Sequence, residues 1–167
     1  MELLKDKVCL VTGTASNPGL GHAIAHRFAE HGATLLLTDI DGDGAERTAA
    51  EIQGAGGKAE AWAQNVANKA DWKDTMDRVR TGHGRLDVLV NNAGIAVLKP
   101  IEEFTFADYE RQMSVNMTSV YLGTQAAVAL MRETAVRGSI VNMSSVAALI
   151  GVIGVSVYAA SKGGVHA

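Results

Sequence analysis

Residues 7–39 read KVCLVTGTASNPGLGHAIAHRFAEHGATLLLTD, and this stretch decides the fold. It predicts a short apolar strand over residues 7–12, a helix over 18–31 and a continuously apolar strand over 33–39. Continuous apolar character is typical of a strand buried on both faces, whereas an antiparallel strand with one wet face would alternate. The stretch therefore predicts two parallel strands that are joined by a right-handed crossover helix.

The same alternation continues along the rest of the chain. It predicts further strands over 58–66, 86–90 and 138–143, and further helices over 44–53, 68–81, 105–132 and from 156 onward. Repeated strand-helix units indicate an α/β fold, a three-layer doubly wound parallel sheet of the Rossmann type with helices on both faces. We find no linker, low-complexity tract or repeat, so we predict one domain over residues 1–167.

The composition excludes several classes of protein. The 167 residues are 47% hydrophobic and 20% charged, and 15 Lys and Arg against 18 Asp and Glu give a formal charge of −3. That balance argues against a nucleic-acid partner, which would need a basic surface. No apolar stretch approaches the roughly 20 residues that span a bilayer, and the N-terminus lacks a signal-peptide core. We expect a cytoplasmic protein with no membrane partner, in which the lone Cys9 is a buried, inert thiol.

Glycines surround the turn between the first strand and the first helix. Gly13 ends the strand, and Gly19-Leu20-Gly21 opens the helix. A dinucleotide pyrophosphate sits against backbone N–H groups at such a helix N-terminus, where a Cβ would hold the backbone too far away. A tight turn without a ligand is the alternative, but the position within the first β-α-β unit favours a dinucleotide site.

Asp39 ends the second strand, about 20 residues beyond the glycines, where a carboxylate can accept hydrogen bonds from the adenosine ribose hydroxyls. The same carboxylate would repel a 2′-phosphate, and no Arg or Lys lies within residues 13–21 or 39–45 to bind one. These residues favour NAD over NADP as the cofactor. The alternative is a solvated turn acid beside Asp41 and Asp43.

Tyr158 and Lys162 are four residues apart, which places them one turn apart on the same face of a helix. A phenol is a poor base at neutral pH, but a nearby ammonium group favours the phenolate. Such a tyrosine can move a proton to or from an alcohol oxygen. Ser145 follows the fifth strand, where its hydroxyl could hydrogen-bond the reacting oxygen. The alternatives are an exposed Tyr-Lys pair and an ordinary turn serine.

Taken together, these residues resemble the short-chain dehydrogenase/reductase family, in its NAD-preferring branch. The resemblance covers essentially the whole chain, and its elements occur in the family's order: Thr12-Gly13 with Gly19-Leu20-Gly21, Asp39, Asn91-Asn92-Ala93-Gly94, Asn116 within Ser114-Val115-Asn116-Met117, and Ser145 before Tyr158-Ala159-Ala160-Ser161-Lys162. It implies an oxidoreductase that interconverts a secondary alcohol and a ketone with NAD(H).

The resemblance also implies residue roles. Tyr158 is the general acid/base, and Ser145 orients and polarises the substrate oxygen. Lys162 favours the phenolate and holds the nicotinamide ribose, while Asn116 positions a water that connects Lys162 to solvent. A polar amide in an apolar stretch needs a partner, so a satisfied core asparagine is the alternative for Asn116.

The implied cofactor-binding residues come from the loops that follow the first four strands, together with the catalytic pair. They are Gly13, Asn17, Gly19, Leu20, Gly21, Asp39, Ile40, Asn65, Val66, Asn92, Ala93, Gly94, Tyr158 and Lys162. The chain departs from the family pattern in two of these places. Five residues separate Gly13 from Gly19 where the family has three, and Asn65 stands where the family usually has Asp.

Family members continue beyond the helix in which Ala167 lies, with two more strands and a lid over the substrate. We therefore expect a truncated fold whose fifth strand is a sheet edge with apolar surface exposed. The same sequence features are consistent with two other functions: a 3-oxoacyl thioester reductase with the same residues, and a truncated nucleotide-binding module without turnover. Family members commonly pair through the 105–132 helix and the terminal helix, so a homodimer or homotetramer is expected.

Two histidines on the first predicted helix, His22 and His26, have the i,i+4 spacing of metal ligands. No carboxylate or thiol motif accompanies them in the sequence. We therefore predict a solvated helix face here, and no metal site.

Overall fold

The computed structural model describes residues 2–167 and contains one five-stranded sheet. Its strands are β1 (Val8–Thr12), β2 (Thr34–Asp39), β3 (Lys58–Ala63), β4 (Val88–Asn91) and β5 (Ser139–Asn142). Every pair is parallel and the spatial order is β3-β2-β1-β4-β5. The chain therefore winds outward from β1 in both directions, which confirms the doubly wound sheet.

Helices cover both faces of this sheet. They are α1 (Leu20–Glu30), α2 (Gly42–Gly54), α3 (Lys69–His83), α4 (Phe106–Met113), α5 (Ser119–Glu133) and α6 (Ser156–His166). Because side chains alternate along β1, Cys9 and Val11 pack with Ala25 of α1 and Ile52 of α2. The alternate side chains of β1 lie on the opposite face of the sheet, where they pack with Trp72 and Met76 of α3 and Leu130 of α5 in a second core. The three predicted layers are confirmed.

Cys9 lies at the centre of the first core. It is fully buried, and burial, reinforced by the charge of Asp87, raises the pKa of its thiol to about 12. The expected burial is therefore confirmed, and the raised pKa favours the protonated, less reactive form of the thiol.

The region predicted as one helix over 105–132 is divided. α4 begins as predicted, at a capping box in which the Thr105 hydroxyl accepts from the backbone N–H of Asp108 and the Asp108 carboxylate accepts in return. A π-helical turn at Ser114–Thr118 then separates α4 from α5. The widened turn contains the fully buried Asn116, whose amide is hydrogen-bonded to the backbone of Ile95. The segment is therefore helical over its length, as the sequence predicts, but it is not α-helical throughout, because a π-helical turn accommodates the buried Asn116.

Within residues 2–167, β5 is the last strand on its side of the sheet. Val141 on this strand is 42% exposed, and Ile153 in the loop that follows is 98% exposed. The expected apolar sheet edge is therefore present. No helix in the described part of the chain combines the length and apolar character needed to cross a bilayer.

Candidate active site

A cleft of about 530 Å³ opens at the carboxyl ends of β1, β2, β3 and β4. Open α/β folds bind ligands at this edge of the sheet, in the crevice that the loops after the strands form. The residues that line the cleft are Gly13, Ser16, Gly19, Leu20, Gly21, Asp39, Ile40, Gln64, Asn65, Val66, Asn92, Ala93, Gly94, Ile95, Arg111 and Val115. Eleven of the predicted cofactor-binding residues are among them.

The glycine loop is packed too closely for side chains. Gly13 has a φ of +73°, and a Cβ on it would lie 2.7 Å from the Cα of Ala93. A Cβ on Gly21 would overlap the carbonyl oxygen of Gly13. The Asn92 amide holds this arrangement by donating to the carbonyls of Thr12 (2.9 Å) and Gly13 (3.0 Å).

The N-terminus of α1 meets the cleft at this loop. The N-cap residue Gly19 offers no side-chain hydrogen bond, so the first backbone N–H groups of α1 have no cap. Uncapped N–H groups beside a glycine-lined surface fit a pyrophosphate. A dinucleotide therefore fits the residues present.

The longer loop between Gly13 and Gly19 is fixed against β2 and α2. The backbone N–H of Ala15 donates to Asp39 (2.9 Å), and the Thr48 hydroxyl donates to the carbonyl of Thr14 (2.8 Å). Ser16 lines the cleft, whereas Asn17 is exposed and is not among the lining residues. Where the sequence predicts Asn17 as a cofactor contact, the loop thus presents its neighbour instead.

Asp39 lies at the end of β2 and lines the cleft beside Ile40. Its two carboxylate oxygens accept from the backbone N–H groups of Ala15 and Asp41, at 2.9 and 3.1 Å. The carboxylate is thereby held in place with lone pairs left over for a ligand. Among the lining residues Arg111 is the one cation, and it comes from α4 rather than from the loops around Asp39.

Gln64 follows β3 and was not predicted as a site residue. The residue borders the cleft and is only 2% exposed, and its buried amide nitrogen and oxygen have no hydrogen-bond partner among residues 2–167. The neighbouring Asn65 accepts from the N–H of Ala67, so its oxygen already closes a local turn. The one signal in the sequence is position: Gln64 directly precedes the predicted Asn65-Val66 pair.

Two of the predicted catalytic residues meet at Gly94, which lines the cleft. A Cβ on Gly94 would lie 3.3 Å from Oδ1 of Asn116 and 3.5 Å from Nζ of Lys162. Lys162 is 5% exposed, and its Nζ donates to the carbonyl of Met143 at 2.7 Å. Burial lowers the pKa of this ammonium group below that of an exposed lysine.

Asn116 is bonded within the protein. Its amide nitrogen donates to the carbonyl of Ile95 (2.9 Å) and to the Ser161 hydroxyl (3.0 Å), and its oxygen accepts from the Ile95 N–H (2.8 Å). Both donor hydrogens of the amide are therefore used, as in the satisfied-core alternative. The amide oxygen keeps a second lone pair, and both this oxygen and the Lys162 Nζ lie close to Gly94.

Tyr158 and Ser145 belong to elements that pack together. Ser145 precedes a 3₁₀ turn at Val146–Ala148 that packs against α6, and its hydroxyl accepts from the Ala147 N–H (3.2 Å). The neighbouring Ser144 hydroxyl donates to the carbonyl of Lys162 on α6 (2.9 Å). No hydrogen bond reaches the Tyr158 hydroxyl from anywhere in residues 2–167.

The histidine pair on α1 is not an isolated solvated face. The fold brings Glu51 of α2 onto it, so that His22 Nε2 lies 2.7 Å and His26 Nε2 3.2 Å from the same carboxylate oxygen. The sequence shows no such carboxylate because Glu51 is 25 residues beyond His26 and meets it only when α1 and α2 pack side by side.

Comparisons with known proteins agree with this geometry. The chain matches the family described as short chain dehydrogenase over residues 7–167. It is 41% identical over 166 residues to cyclopentanol dehydrogenase of Comamonas sp. (strain NCIMB 9872), a match that covers 99% of this chain and 65% of that enzyme. It is 39% identical over 162 residues to the 3-oxoacyl-acyl-carrier-protein reductase FabG of Thermotoga maritima, covering 97% and 65%.

Among solved structures, a metagenomic short-chain oxidoreductase in complex with NADP matches with a TM-score of 0.91 and 34% identity, over 98% of this chain and 73% of that chain. The chain spans 65% of the length of the two enzymes named above. The family match covers both the cleft and the residues around Gly94. The chain belongs to the short-chain dehydrogenase family.

Proposed function

We propose that this chain carries the cofactor-binding and proton-transfer machinery of an oxidoreductase that interconverts a secondary alcohol and a ketone with NAD(H). The observation that carries the proposal is the meeting of Lys162 and Asn116 beside Gly94 of the cleft, with Tyr158 one turn away from Lys162 on α6. A buried ammonium, a neighbouring phenol and a dinucleotide-shaped cleft serve one chemistry together, which is hydride transfer coupled to proton transfer.

The cleft offers separate groups for each part of the cofactor. The N–H groups at the start of α1 would hold the pyrophosphate, Asp39 the adenosine ribose, and Gln64 with Val66 the adenine. When bound, the nicotinamide supplies or accepts the hydride. The close backbone packing at Gly13 and Gly21 then sets how near the phosphates approach.

The chain's own residues would handle the proton. Tyr158 takes it from the alcohol hydroxyl in one direction and returns it to the carbonyl oxygen in the other. Ser145 donates a hydrogen bond to that oxygen and orients it, while the Lys162 ammonium favours the phenolate. Asn116, through its remaining lone pair, positions a water next to Lys162 so that the proton can pass to solvent.

We propose NAD rather than NADP as the cofactor. Asp39 would face the 2′ position of the adenosine ribose, and its negative charge would repel a 2′-phosphate. Arg47, the nearest arginine along the chain, pairs with Asp41 (3.5 Å) rather than facing an open phosphate site. The NADP complex of the metagenomic relative makes the comparison of the two cofactors necessary.

The experiment is an assay of NAD⁺ and NADP⁺ reduction with a panel of secondary alcohols, cyclopentanol included. The parent should reduce NAD⁺ faster than NADP⁺, and Tyr158→Phe should lower kcat by about 100-fold or more, since general acid/base catalysis is worth roughly 10²–10⁴. Tyr109→Phe, an exposed tyrosine on α4, is the matched control and should keep full activity. An active parent with an equally active Tyr158→Phe variant would rule out the mechanism.

A second candidate function is reduction of a 3-oxoacyl thioester, which the likeness to the Thermotoga reductase favours. It uses the same side chains and differs in substrate and cofactor. Acyl-carrier-protein or coenzyme A thioesters assayed with NADPH and NADH separate the two candidates. Faster turnover of a thioester with NADPH than of any alcohol with NAD⁺ would favour the reductase and contradict the role given to Asp39.

We also propose that the chain pairs with copies of itself through α4 and α5. Phe106 of α4 is 72% and Tyr121 of α5 62% exposed, and the Phe106 ring stacks on that of Tyr109 (5.7 Å). Exposed aromatic side chains of this size are enriched at protein interfaces. Sedimentation should show a dimer or tetramer that Tyr121→Arg dissociates, and a monomeric parent would contradict the pairing.

A further inference from the structure

The strongest unassigned cluster lies on the outer side of α1 and α2, away from the residues proposed for catalysis. His22 and His26 are one turn apart on α1, and their Nε2 atoms lie 2.7 and 3.2 Å from the same oxygen, Oε2 of Glu51 on α2. The three potential ligand atoms all lie within 4.8 Å of one another. This convergence comes from packing, because Ala25 of α1 and Ala49 of α2 share one core beneath it.

The donor set has the chemistry of a zinc ligand set. Two imidazole nitrogens and one carboxylate oxygen, with water as the fourth ligand, are what zinc accepts in open tetrahedral sites. Metal–ligand bonds of roughly 2.0–2.2 Å place tetrahedral ligand atoms about 3.3 Å apart. The three side chains therefore need only small movements, and the Glu51 side chain, 45% exposed, has the freedom to make them.

The two imidazoles converge on a single carboxylate oxygen, as the ligands of one metal ion converge on one point. A neutral imidazole donates one N–H, so one histidine is enough to form a hydrogen bond with Glu51. Here a second ring aims at the same oxygen, and the two ring centroids are 4.4 Å apart. Two imidazolium charges at that separation repel each other, whereas a divalent cation takes a lone pair from both rings.

We propose that His22, His26 and Glu51 form a site for a divalent cation of the zinc class. The side chains of His22 and His26 are 16% and 33% exposed, so a cation can enter from solvent while the rings stay packed. Bound there, the ion joins α1 to α2. Because His22 directly follows Gly21, the ion also braces the helix whose N-terminus faces the cleft.

The test is titration of the tag-free protein with ZnCl₂ by calorimetry, together with the visible absorption spectrum of its Co²⁺ complex. The expected result is saturable binding of one Zn²⁺ per chain, a tetrahedral Co²⁺ spectrum and a higher thermal midpoint with Zn²⁺ present. His26→Asn and Glu51→Gln should each weaken Zn²⁺ binding by more than the roughly 10–100-fold that loss of an outer-shell partner costs.

His83→Asn is the matched control, because His83 at the end of α3 pairs with Glu60 of β3 (3.2 Å), and no second histidine joins this pair within residues 2–167. It should bind Zn²⁺ as tightly as the parent. Melting of each variant without metal shows that the fold is kept. Absence of saturable binding in the parent, or equal affinity in the parent and in both site variants, overturns the proposal. Weakening by His83→Asn to the same extent would overturn it too, since binding would then be unspecific.

Discussion

At the scale of single residues, the Gln64 amide is held in an unusual state. It is 2% exposed and lines the cleft, but it lacks a hydrogen-bond partner among the described residues. Leaving a buried amide unpaired costs about 1–3 kcal/mol. The edge of an adenine carries both an amino donor and ring acceptors, so the amide would be satisfied once the base is bound.

Gln64→Met should therefore change stability and binding in opposite senses. It should raise the unfolding free energy of the cofactor-free protein by about 1 kcal/mol, because an unpaired amide is replaced by an apolar chain of similar size. It should weaken NADH binding about tenfold, since the hydrogen bonds to the base are lost. Urea unfolding and NADH fluorescence titration measure the two effects. Gln125→Met on the exposed face of α5 is the control, and unchanged NADH affinity in Gln64→Met would show that this amide does not contact the base.

The residues that could be predicted from the sequence are those whose local pattern already carries their chemistry. Asp39 at a strand end and the Tyr158–Lys162 spacing are of this kind. Gln64 is not, because its burial and lack of a partner arise only when four strands bring their loops together. The pairing of Glu51 with His22 and His26 was missed for the same reason: it is a contact between two helices, and spacing within one helix does not reveal it.

At the scale of elements, the contact between the N-terminus of α1 and the glycine loop positions the cleft. A Cβ on Gly21 would overlap the Gly13 carbonyl oxygen and lie 2.7 Å from the Asn92 amide nitrogen. Asn92 also donates to the Thr12 carbonyl, so β1, the glycine loop and the loop after β4 are tied together. A change at Gly21 therefore reaches all three elements.

Gly21→Ala should separate α1 from the loop. We expect a loss of about 2 kcal/mol in unfolding free energy, as for overpacked cores, together with loss of NADH binding. Gly82→Ala, in the last turns of α3, is the matched control because no heavy atom lies within 4 Å of the added methyl group. It should stabilise the protein by about 0.5–1 kcal/mol. Equal stability of Gly21→Ala and the parent would contradict the close packing described here.

Strands and helices follow from hydrophobic periodicity, and the order of elements was predicted correctly for that reason. The exception is the segment over 105–132, where the apolar pattern runs on through the π-helical turn at Ser114–Thr118. Periodicity records which side chains are apolar, and it does not record the hydrogen bonds that Asn116 makes with Ile95. Those bonds decide the local winding.

At the scale of the whole molecule, one buried carboxylate, that of Asp87, joins two strands at the amino end of the sheet. The Asp87 side chain, 4% exposed, accepts from the backbone N–H of Val8 (3.0 Å) and from the Arg85 guanidinium (2.7 Å). Burial acts to raise the pKa of this carboxyl, but the hydrogen bonds from Arg85 and Val8 outweigh it and hold the pKa below its ordinary value. Asp87 thereby links the amino ends of β1 and β4, which are neighbouring strands in the sheet.

This linkage predicts acid sensitivity. Because the folded-state pKa of Asp87 is lowered, its stabilisation is present above the unfolded-state pKa of about 4 and is lost as pH falls through the folded-state value. Asp87→Asn should lower the unfolding free energy by about 2 kcal/mol at pH 7. Between pH 7 and pH 3 the unfolding free energy should then fall less in this variant than in the parent. Urea unfolding at both values measures it, with the exposed Asp43→Asn as control. If the unfolding free energies of the parent and of Asp87→Asn fall equally between pH 7 and pH 3, then groups other than Asp87 cause the acid sensitivity.

In the mechanism proposed for this chain, one cleft brings a dinucleotide's nicotinamide to the side chains of Tyr158 and Lys162. A crystal structure of the protein with NAD⁺ tests it most directly. We expect the pyrophosphate at the N-terminus of α1, the adenine beside Gln64 and the nicotinamide ring past Gly94, within reach of the Tyr158 hydroxyl. A nucleotide bound elsewhere, or one whose nicotinamide points away from α6, would contradict it.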